Sequence, residues 1–526
     1  MLTTPPLACW LSLLHSKLNG AVFEAFNRHK YNRQYSNVTK LVKFGLKLLG
    51  SSNFIAIQTD KDGGMGIESI DDVRDVLAEV LARPEYAEIP CCSRPKVLAE
   101  AVQRTMMMAV RIEQTIGPIG IASAIRRYLN EENATIISKL KLTLKSHIDP
   151  SEVSHRALHA TPNYMLMGLG LWVQMMCQTR LAEVEYSHIL KDASGFISDI
   201  RAIEVGSTDF FVKVDFKDFY MSGEPKQIAD DVASREPDMH SRLLLRDAIL
   251  ILLESQFLEA EAVADKLYQV IRGSGMGLVH SGFITDLSLA NLAEVNWAAS
   301  RAVRAQHGIK GGWRFRDDSL WVCTDKTLAD KFFDEYARRS KYFVLKIEEV
   351  HSYMMRFLNV MTYKTGAGYH VGPAFKPSAL HNFPLDTTSC HAPTVHTMWP
   401  AALLRSMIKF ASINSLAHRA KATVIERFIE HRASDSLIKY LQNVDIDKPG
   451  KTRRTALPNS TNLWIPLGFH LALCYSVAKM LRTFNDDVGL QLMFSEAFNL
   501  PFNHRVVLKA AWCNTMPYWG HVLMRT

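Results

Sequence analysis

The chain has 526 residues, of which 48% are hydrophobic and 22% charged, and this composition excludes a disordered or fibrous protein. Its length exceeds that of one ordinary domain, so about two to four domains of roughly 100 to 200 residues each are expected. The net charge of +8 is modest, and the eight cysteines lack the spacing of a zinc site, which indicates free thiols in a reducing compartment rather than a disulfide framework.

The predicted elements begin with a basic helical extension over residues 1–49. A strand follows over Asn53–Thr59 and runs into a turn at Asp60–Gly64. Helices and loops then alternate to about Lys191, and a mixed region of strands and helices spans Phe210–Val371. After a loop rich in proline and histidine, the chain is predicted to be almost wholly helical to its end.

No segment has the pattern of a secretory signal or a membrane span. Ala8–Leu14 is apolar but short, and no basic residue precedes it. The uncharged stretches Ala160–Thr179 and Leu463–Ala478 contain polar residues and proline, so they are interpreted as buried core rather than as spans of about 20 apolar residues. The sequence thus predicts a protein that is neither secreted nor membrane-spanning.

Two adjacent carboxylates, Asp317 and Asp318, lie in the segment Trp313–Val322 (WRFRDDSLWV). Alternating apolar residues before the pair and a short apolar run after it predict strand, tight turn and strand. Neighbouring carboxylates repel unless divalent cations or strong donors neutralise them. An exposed acidic turn is the alternative, because aspartate is a common turn residue.

A second acidic strand lies about a hundred residues earlier. Val212, Val214 and Phe216 alternate with Asp215 and its neighbours, which is a strand pattern. If this strand pairs beside the hairpin, Asp215 joins Asp317 and Asp318 in one carboxylate cluster. Such a cluster suits two divalent ions and the two-metal route to phosphoryl transfer, with Mg²⁺ favoured by hard oxygen ligands and Mn²⁺ as the alternative.

A glycine-rich loop, Ile271–Gly282, separates these two elements and precedes a predicted helix over Phe283–Glu294. Glycines at this density let a backbone approach a base pair closely, although an ordinary loop is the simpler interpretation. A local excess of basic residues lies further on, with eleven Lys and Arg against five Asp and Glu between Ala401 and Arg454. That excess suits a polyanionic partner, whereas a solvated helix face is the commoner explanation of a charge cluster.

The order of these motifs resembles the palm of a reverse transcriptase, in particular that of Penelope-like retroelements. Phe343–Glu349 resembles the following palm strand, and Arg356–Val360 resembles the short hairpin that grips the primer. Upstream, Thr59–Gly64 and His155–Leu158 are similar to two elements of the Penelope-like fingers. The helical stretch after His396 is similar to their thumb.

The resemblance implies a right-hand polymerase fold of the α+β class, with fingers, an antiparallel-sheet palm and a helical thumb. The implied domains are an N-terminal extension (1–49), fingers (50–205), palm (206–372), and thumb with the C-terminal region (373–526). The implied partners are an RNA template, a DNA primer, the RNA/DNA hybrid and dNTPs. Any nicking of DNA would come from a separate endonuclease, and the implied location is the nucleus, with the cytoplasm as the alternative.

The resemblance also implies roles for individual residues. Asp215, Asp317 and Asp318 would hold two Mg²⁺ ions, and Tyr220 would exclude the ribose 2′-hydroxyl. The remaining implied residues fall into three groups: Lys61, Arg156 and Lys346 for the triphosphate or pyrophosphate; Gly275, Met276 and Gly277 for the nascent pair and template; and Phe357, Leu358, Arg405, Lys409, Arg419, Lys421, Lys451, Arg453 and Arg454 for nucleic acid.

The implied function is RNA-directed DNA polymerisation encoded by a retroelement. Two departures from the family pattern bear on it: Leu278-Val279 stands where Ser-Pro is usual, and Arg316 fills a slot that is usually small or aliphatic. A guanidinium at Arg316 would compete with Mg²⁺ or contact the primer backbone. The alternatives are an RNA-directed RNA polymerase, which Tyr220 disfavours, and a catalytically silent nucleic-acid-binding protein.

Overall fold

The computed structural model describes residues 53–60, 65–116, 120–129, 137–145, 154–160, 164–260, 266–375, 393–430, 433–446, 460–468 and 505–513. The predicted N-terminal extension, Lys61, Lys451, Arg453 and Arg454 lie outside these residues. The described residues fall into two compact units. Those within Leu49–Asn382 and Met407–Ala420 form the first, and those within Phe383–Ser406 and Lys421–Thr526 belong to the second.

A four-stranded antiparallel sheet carries both acidic motifs. Its order is β11 (Val344–His351), β6 (Phe210–Lys217), β10 (Asp318–Cys323) and β9 (Ile309–Phe315). The acidic strand is therefore central and pairs directly with the second strand of the acidic hairpin. The predicted pairing is confirmed, and so is the predicted α+β class with an antiparallel sheet backed by helices.

Alternation along β6 sends its two sets of side chains to different cores. Val212, Val214 and Phe216 are buried against helices on one face, in a cluster rich in aromatic rings. Phe211 lies on the other face and packs with Leu320 of β10. Because both faces are covered at this end, the register of β6 against β10 is strongly specified.

A three-stranded antiparallel sheet follows directly in the chain, formed by β12 (Met354–Phe357), β13 (Val360–Thr365) and β14 (Gly368–Pro373). Its first two strands form the hairpin expected over Arg356–Val360. Phe357 at the turn is fully buried, and its ring meets that of Phe196 edge-on with centroids 5.1 Å apart. The hairpin is thus anchored into the core beside the four-stranded sheet.

The N-terminal part of the first unit contains more strands than the sequence predicts. β1 (Phe54–Gln58), which was expected, pairs with β2 (Met65–Ser69). A five-stranded sheet has the order β3-β8-β7-β4-β5, with bounds Tyr86–Ile89, Leu267–Val270, Phe257–Glu259, Ser138–Leu144 and His155–Ala160. The prediction that helices and loops alternate up to Lys191 is therefore wrong at β2, β3, β4 and β5. β3 and β4 pair with β8 and β7, which lie far along the chain, whereas β2 and β5 pair with the neighbouring β1 and β4.

Helices surround these sheets. The helices of the first unit up to residue 382 are α1 (Ile70–Leu81), α2 (Arg94–Ile116), α3 (Ile121–Arg127), α4 (Met167–Leu181), α5 (Ala193–Arg201), α6 (Pro225–Ala233), α7 (Met239–Glu254), α8 (Ser281–Leu289), α9 (Arg301–Gln306) and α10 (Lys326–Arg339). The predicted helix over Phe283–Glu294 is confirmed as α8, which continues as a π-helix over Ala290–Ala298.

The C-terminal part is less helical than predicted. It contains α11 (Pro393–Lys409), α12 (Asn414–Glu430) and α13 (Asp435–Gln442), and then a parallel pair formed by β15 (Ser460–Gly468) and β16 (Arg505–Cys513). The expectation of an almost wholly helical end is wrong at these strands. Val506 and Val507 are β-branched, which favours a strand, but a parallel partner far along the chain leaves no local signal. No helix in the described part of the chain has the length and apolarity that a bilayer crossing requires.

The aromatic cluster beneath the four-stranded sheet yields a stability prediction. Phe332 of α10 is fully buried, and its ring centroid lies 4.7 Å from that of Trp297 and 5.1 Å from that of Trp321. Phe332→Ala is expected to lower the free energy of unfolding by about 3–5 kcal/mol, because a large cavity opens among rigid rings. Urea denaturation followed by circular dichroism measures this. Tyr353→Ala, whose side chain is 68% exposed, is the control, and equal losses in both variants would contradict the packing argument.

Candidate active site

The three predicted metal-binding carboxylates meet at one end of the four-stranded sheet. Asp215 of β6 and Asp318 of β10 are directly opposed partners, so their side chains leave the same face of the sheet. Asp317 lies in the turn just before β10, and its carbonyl accepts a hydrogen bond from the Phe216 N–H at 3.1 Å. The turn is thereby fastened to the acidic strand.

Burial and the neighbouring carboxylates raise the pKa values of Asp215 and Asp317. Burial, followed by the charges of Asp317, Glu348 and Asp318, raises the pKa of Asp215 to about 6. Burial and the charge of Asp318 likewise raise the pKa of Asp317. Carboxylates that raise one another's pKa in this way lie close enough for a shared cation to favour all of them.

Two charged residues that the sequence analysis missed complete the local electrostatics. The Lys213 ammonium lies 2.5 Å from a Glu348 carboxylate oxygen and 3.5 Å from Oδ1 of Asp318. Lys213 precedes Asp215 by two residues on the same strand, so strand periodicity could have placed it on the same face. Glu348 lies where the register of β11 against β6 shifts, and alternation could not locate it.

The donor set fits Mg²⁺ in chemistry, because carboxylate oxygens are the hard ligands that this ion prefers. Among the described residues, no three His, Cys, Asp or Glu side chains already stand in the arrangement of a metal site. The fit thus rests on donor type and on the shared position of Asp215, Asp317 and Asp318, with Lys213 offsetting part of their charge.

Two of the predicted triphosphate contacts lie near the acids. Arg156 of β5 forms an ion pair with Asp60 at 3.2 Å, and its charge opposes the rise in the pKa of Asp317 that burial causes. Lys346 is exposed on β11, directly opposite Asp215. The third, Lys61, is outside the described residues, so its role stays a prediction.

Tyr220 lies in a short helical turn, Phe219–Met221, just beyond the acidic strand. Its ring is half-buried, and burial raises the pKa of its hydroxyl, with opposing contributions from the charges of Arg316 and Asp317. Its carbonyl accepts a hydrogen bond from the Ser274 N–H at 2.6 Å. Tyr220 therefore lies close to the acids and connects them to the glycine-rich loop.

The glycine-rich loop packs against strand β5 at His159. A Cβ on Gly275 would lie 1.6 Å from the His159 ring, and the His159 N–H donates to the Met276 carbonyl at 2.7 Å. Gly277 has a φ of +111°, which strongly favours glycine. Gly275 is buried, so it is corrected from a template contact to a packing position, whereas Met276 and Gly277 present surface.

The predicted primer-gripping residues are only partly accessible. Phe357 is fully buried, so the prediction that it contacts nucleic acid directly is corrected: it anchors the hairpin. Leu358 is half-buried at the turn, in the left-handed region with φ of +55°. The neighbouring Arg356, which the sequence analysis did not select, has a buried Nη2 atom with no hydrogen-bond partner in the described part of the chain, and the charge of Asp318 acts on it.

The predicted basic contacts of the C-terminal helices differ in availability. Arg405, Lys409 and Arg419 are exposed. Lys421 instead donates to the carbonyls of Gln442 and Val444 at 2.6 and 2.7 Å, near the end of α13, so it is corrected to a structural role. Lys451, Arg453 and Arg454 are outside the described residues and stay predictions.

Arg316 does not point at the metal-binding acids. Its guanidinium pairs with Asp286 of α8 and lies 4.8 Å from the centre of the Phe283 ring. The expectation that Arg316 competes with Mg²⁺ is therefore wrong, whereas a contact with the primer backbone stays a prediction. The cause is a buried acid on α8, which no short-range pattern in the sequence reveals.

No protein-family model matches this chain, and no curated protein matches it in sequence. Some solved structures are similar to parts of it. A telomerase from Candida albicans in complex with a fragment of telomeric RNA shares 12% identity over 87% of this chain and 70% of its own, with a TM-score of 0.49.

Two further solved structures match over shorter regions. Apo telomerase from Candida tropicalis shares 10% identity over 74% of this chain and 67% of its own, with a TM-score of 0.45. The RNA-dependent RNA polymerase of a human picobirnavirus shares 12% identity over 58% of this chain and 57% of its own, with a TM-score of 0.39.

The raised pKa of Asp215 predicts a pH-dependent stability. Because the folded pKa of about 6 exceeds the ordinary value, the protein without metal loses stability as pH rises through about 6, when Asp215 ionises against its neighbours. Asp215→Asn is expected to melt higher than the wild type at pH 7.5, and the difference is expected to vanish near pH 4. Thermal melts in EDTA across this range measure it.

The matched control for this experiment is Asp334→Asn, at an exposed position on α10. It is expected to follow the wild-type profile. A pH profile of Asp215→Asn that coincides with those of both other proteins would contradict the inferred repulsion at the acid cluster.

Proposed function

We propose that this protein is an RNA-directed DNA polymerase of retroelement type, which adds dNTPs to a primer 3′-hydroxyl on an RNA template. The observation that carries the proposal is the direct opposition of Asp215 and Asp318 on paired strands, with Asp317 in the adjoining turn. The corresponding location is the nucleus, and any DNA nicking belongs to a separate endonuclease.

The residues for two Mg²⁺ ions are Asp215, Asp317 and Asp318. When bound, Mg²⁺ neutralises negative charge on the triphosphate and lowers the pKa of the primer 3′-hydroxyl. Part of the protein's role is to keep Asp215 ionised at neutral pH. Lys213 contributes to this, since its charge opposes the rise in the pKa of Asp215 that burial and the neighbouring acids cause.

Basic side chains near the acids suit the incoming triphosphate. Arg156 faces the same site as Asp317, and the planar guanidinium matches phosphate oxygens in two places at once. Binding a triphosphate requires Arg156 to share or exchange its ion pair with Asp60. Lys346, across the strand pair from Asp215, is the candidate to protonate the departing pyrophosphate.

The nucleic acid is expected to be held through its backbone and shape rather than through base edges. Arg356 is a candidate for a primer phosphate, because it is only half-buried and lies where the charge of Asp318 acts on it. Leu358 at the hairpin turn and the exposed Arg405, Lys409 and Arg419 are further candidates. Contacts of this kind give an affinity that falls steeply with salt.

Primer extension tests the proposal directly. The wild type, given an RNA template, a DNA primer, Mg²⁺ and dNTPs, is expected to extend the primer. Asp317→Asn is expected to reduce the rate by at least about 10³-fold, or ~4 kcal/mol of transition-state stabilisation, because one metal-binding carboxylate is lost. A gel-based single-nucleotide extension assay measures both rates.

Asp334→Asn is the matched control, since it makes the same change at an exposed carboxylate of α10 that is not among the proposed metal ligands. Extension with rNTPs in preference to dNTPs would favour an RNA-directed RNA polymerase. Binding of template and primer without any extension by the wild type would indicate a catalytically silent nucleic-acid-binding protein. Full activity of Asp317→Asn would overturn the assignment of the acids.

Tyr220 carries the preference for deoxynucleotides in this proposal. Its backbone carbonyl accepts a hydrogen bond from the loop at Ser274, and its half-buried ring lies close to Asp317, where a bulky side chain would clash with a 2′-hydroxyl. Tyr220→Ala is expected to raise rNTP incorporation relative to dNTP by about tenfold, or ~1.4 kcal/mol of discrimination. Tyr220→Phe keeps the ring and is expected to keep the preference. A change in both variants, or in neither, would contradict this role.

A further inference from the structure

A buried arginine lies beneath the turn that presents the acids. The Arg314 side chain is 1% exposed, on the strand that leads into the turn. Its Nε and Nη2 atoms donate to the two Glu294 carboxylate oxygens at 2.7 and 2.9 Å, and Nη2 also donates to the Asp286 carbonyl at 3.1 Å. Nη1 donates to Oδ1 of Asp286 at 2.6 Å and to the Arg316 carbonyl at 2.9 Å.

These contacts satisfy all five N–H donors of the Arg314 guanidinium. Glu294 is held from further sides, since Oε1 accepts from the Tyr336 hydroxyl at 2.5 Å and Oε2 is 3.0 Å from Nε2 of His188. A fully bonded guanidinium has one orientation. Arg314 thus connects α8, its π-helical continuation and the hairpin through side-chain hydrogen bonds that fix its orientation.

Two interactions connect Arg316 to this group of residues. Its carbonyl accepts from Arg314, and its own guanidinium pairs with the second carboxylate oxygen of Asp286. The backbone of Arg316 has φ of +59°, a left-handed conformation that a residue with a long side chain adopts only when its surroundings impose it. The next residue in the chain is Asp317, so the conformation of Arg316 directs both metal-binding aspartates of the turn.

The structure also makes room for this side chain. A Cβ on Gly282 would lie 2.7 Å from the guanidinium carbon of Arg316, so any larger residue there would displace the arginine. The guanidinium carbon of Arg316 also lies 4.8 Å from the centre of the Phe283 ring, in the manner of a cation–π contact. Gly282 is the last residue of the glycine-rich loop and, with Phe283, lies in the first turn of α8.

We propose that Arg316 is a positioning residue, which, through Asp286 and Arg314, holds the turn in the conformation that presents Asp317 and Asp318 to metal ions. This inference rests on the proposed metal site. Without the Arg316 side chain the backbone of the turn is free to relax toward an ordinary right-handed conformation. The carboxylates of Asp317 and Asp318 are then no longer held in the arrangement that binds metal ions. The affinity for divalent ions is then expected to fall, although neither ligand has changed.

The test measures metal binding without polymerase activity. Mn²⁺ binding to the purified protein is followed by electron paramagnetic resonance, and the double variant Asp317→Asn/Asp318→Asn gives the background from other sites. Arg316→Gly is expected to weaken the acid-dependent Mn²⁺ affinity by roughly 10–100-fold, as is typical when a partner of a metal ligand is removed. Glycine adopts a left-handed backbone freely, so this variant removes the anchor without straining the turn.

Arg316→Lys keeps a positive charge for Asp286 and is expected to recover most of the lost affinity. Arg338→Ala, at an exposed arginine on α10, is the matched control and is expected to bind Mn²⁺ as the wild type does. Melting temperatures of all variants separate local from global effects. If the variants lost stability in general, Mn²⁺ affinity would fall together with the melting temperature. Arg316→Lys would then not recover the affinity.

Wild-type affinity in Arg316→Gly would overturn the inference, as would equal losses in the glycine and lysine variants. A wild type with no acid-dependent Mn²⁺ site would overturn it together with the metal assignment. The proposed polymerase activity is judged separately, by primer extension. A protein that binds Mn²⁺ through Asp317 and Asp318, loses affinity in Arg316→Gly and extends no primer would support the positioning role while excluding the proposed function.

Discussion

Repulsion among carboxylates at one end of a sheet is the constraint on which the site depends. Asp215 and Asp318 are opposed across two strands, and Asp317 is next to both. Three like charges so placed favour separation of the strands unless other interactions prevent it. The register of β6 and β10 resists this separation, because it buries hydrophobic side chains on both faces. The core thus holds together charges that on their own would move apart.

Basic side chains compensate the negative charges of the site both near the surface and in the interior. Lys213 and Arg156 act on the acids from the partly exposed side, where a bound cation or triphosphate could exchange with them. Arg314 lies in the interior between Glu294 and Asp286, and Arg316 supplies a second positive charge to Asp286. A buried ion pair of this kind contributes little net stability, but loss of one member is costly. Its role here is to position the turn, because Arg314 donates a hydrogen bond to the Arg316 carbonyl.

The site could be predicted from the sequence wherever its residues follow one another on a strand or a turn. Alternation around Val212, Val214 and Phe216 identified the acidic strand, and the apolar runs flanking Asp317 identified the hairpin. The pairing of these two elements came from motif order, and the register confirmed it. Strands β3 and β4 were missed because they pair with β8 and β7, which lie far away in the chain, and β5, whose partner is β4, was missed with them. The same reason accounts for β15 and β16.

By itself, the sequence determined the fold class, the acidic strand, the acidic hairpin and the three carboxylates of the site, but not Lys213 and Glu348 beside them. The tertiary structure decided where those side chains are directed. It turned Arg316 away from the acids to Asp286, buried Phe357 and Gly275, and engaged Lys421 on backbone carbonyls. Local periodicity encodes which face of an element a residue occupies, because backbone geometry repeats every two or 3.6 residues. The partner that a side chain finds on that face comes from another part of the chain, and only the folded structure brings the two together.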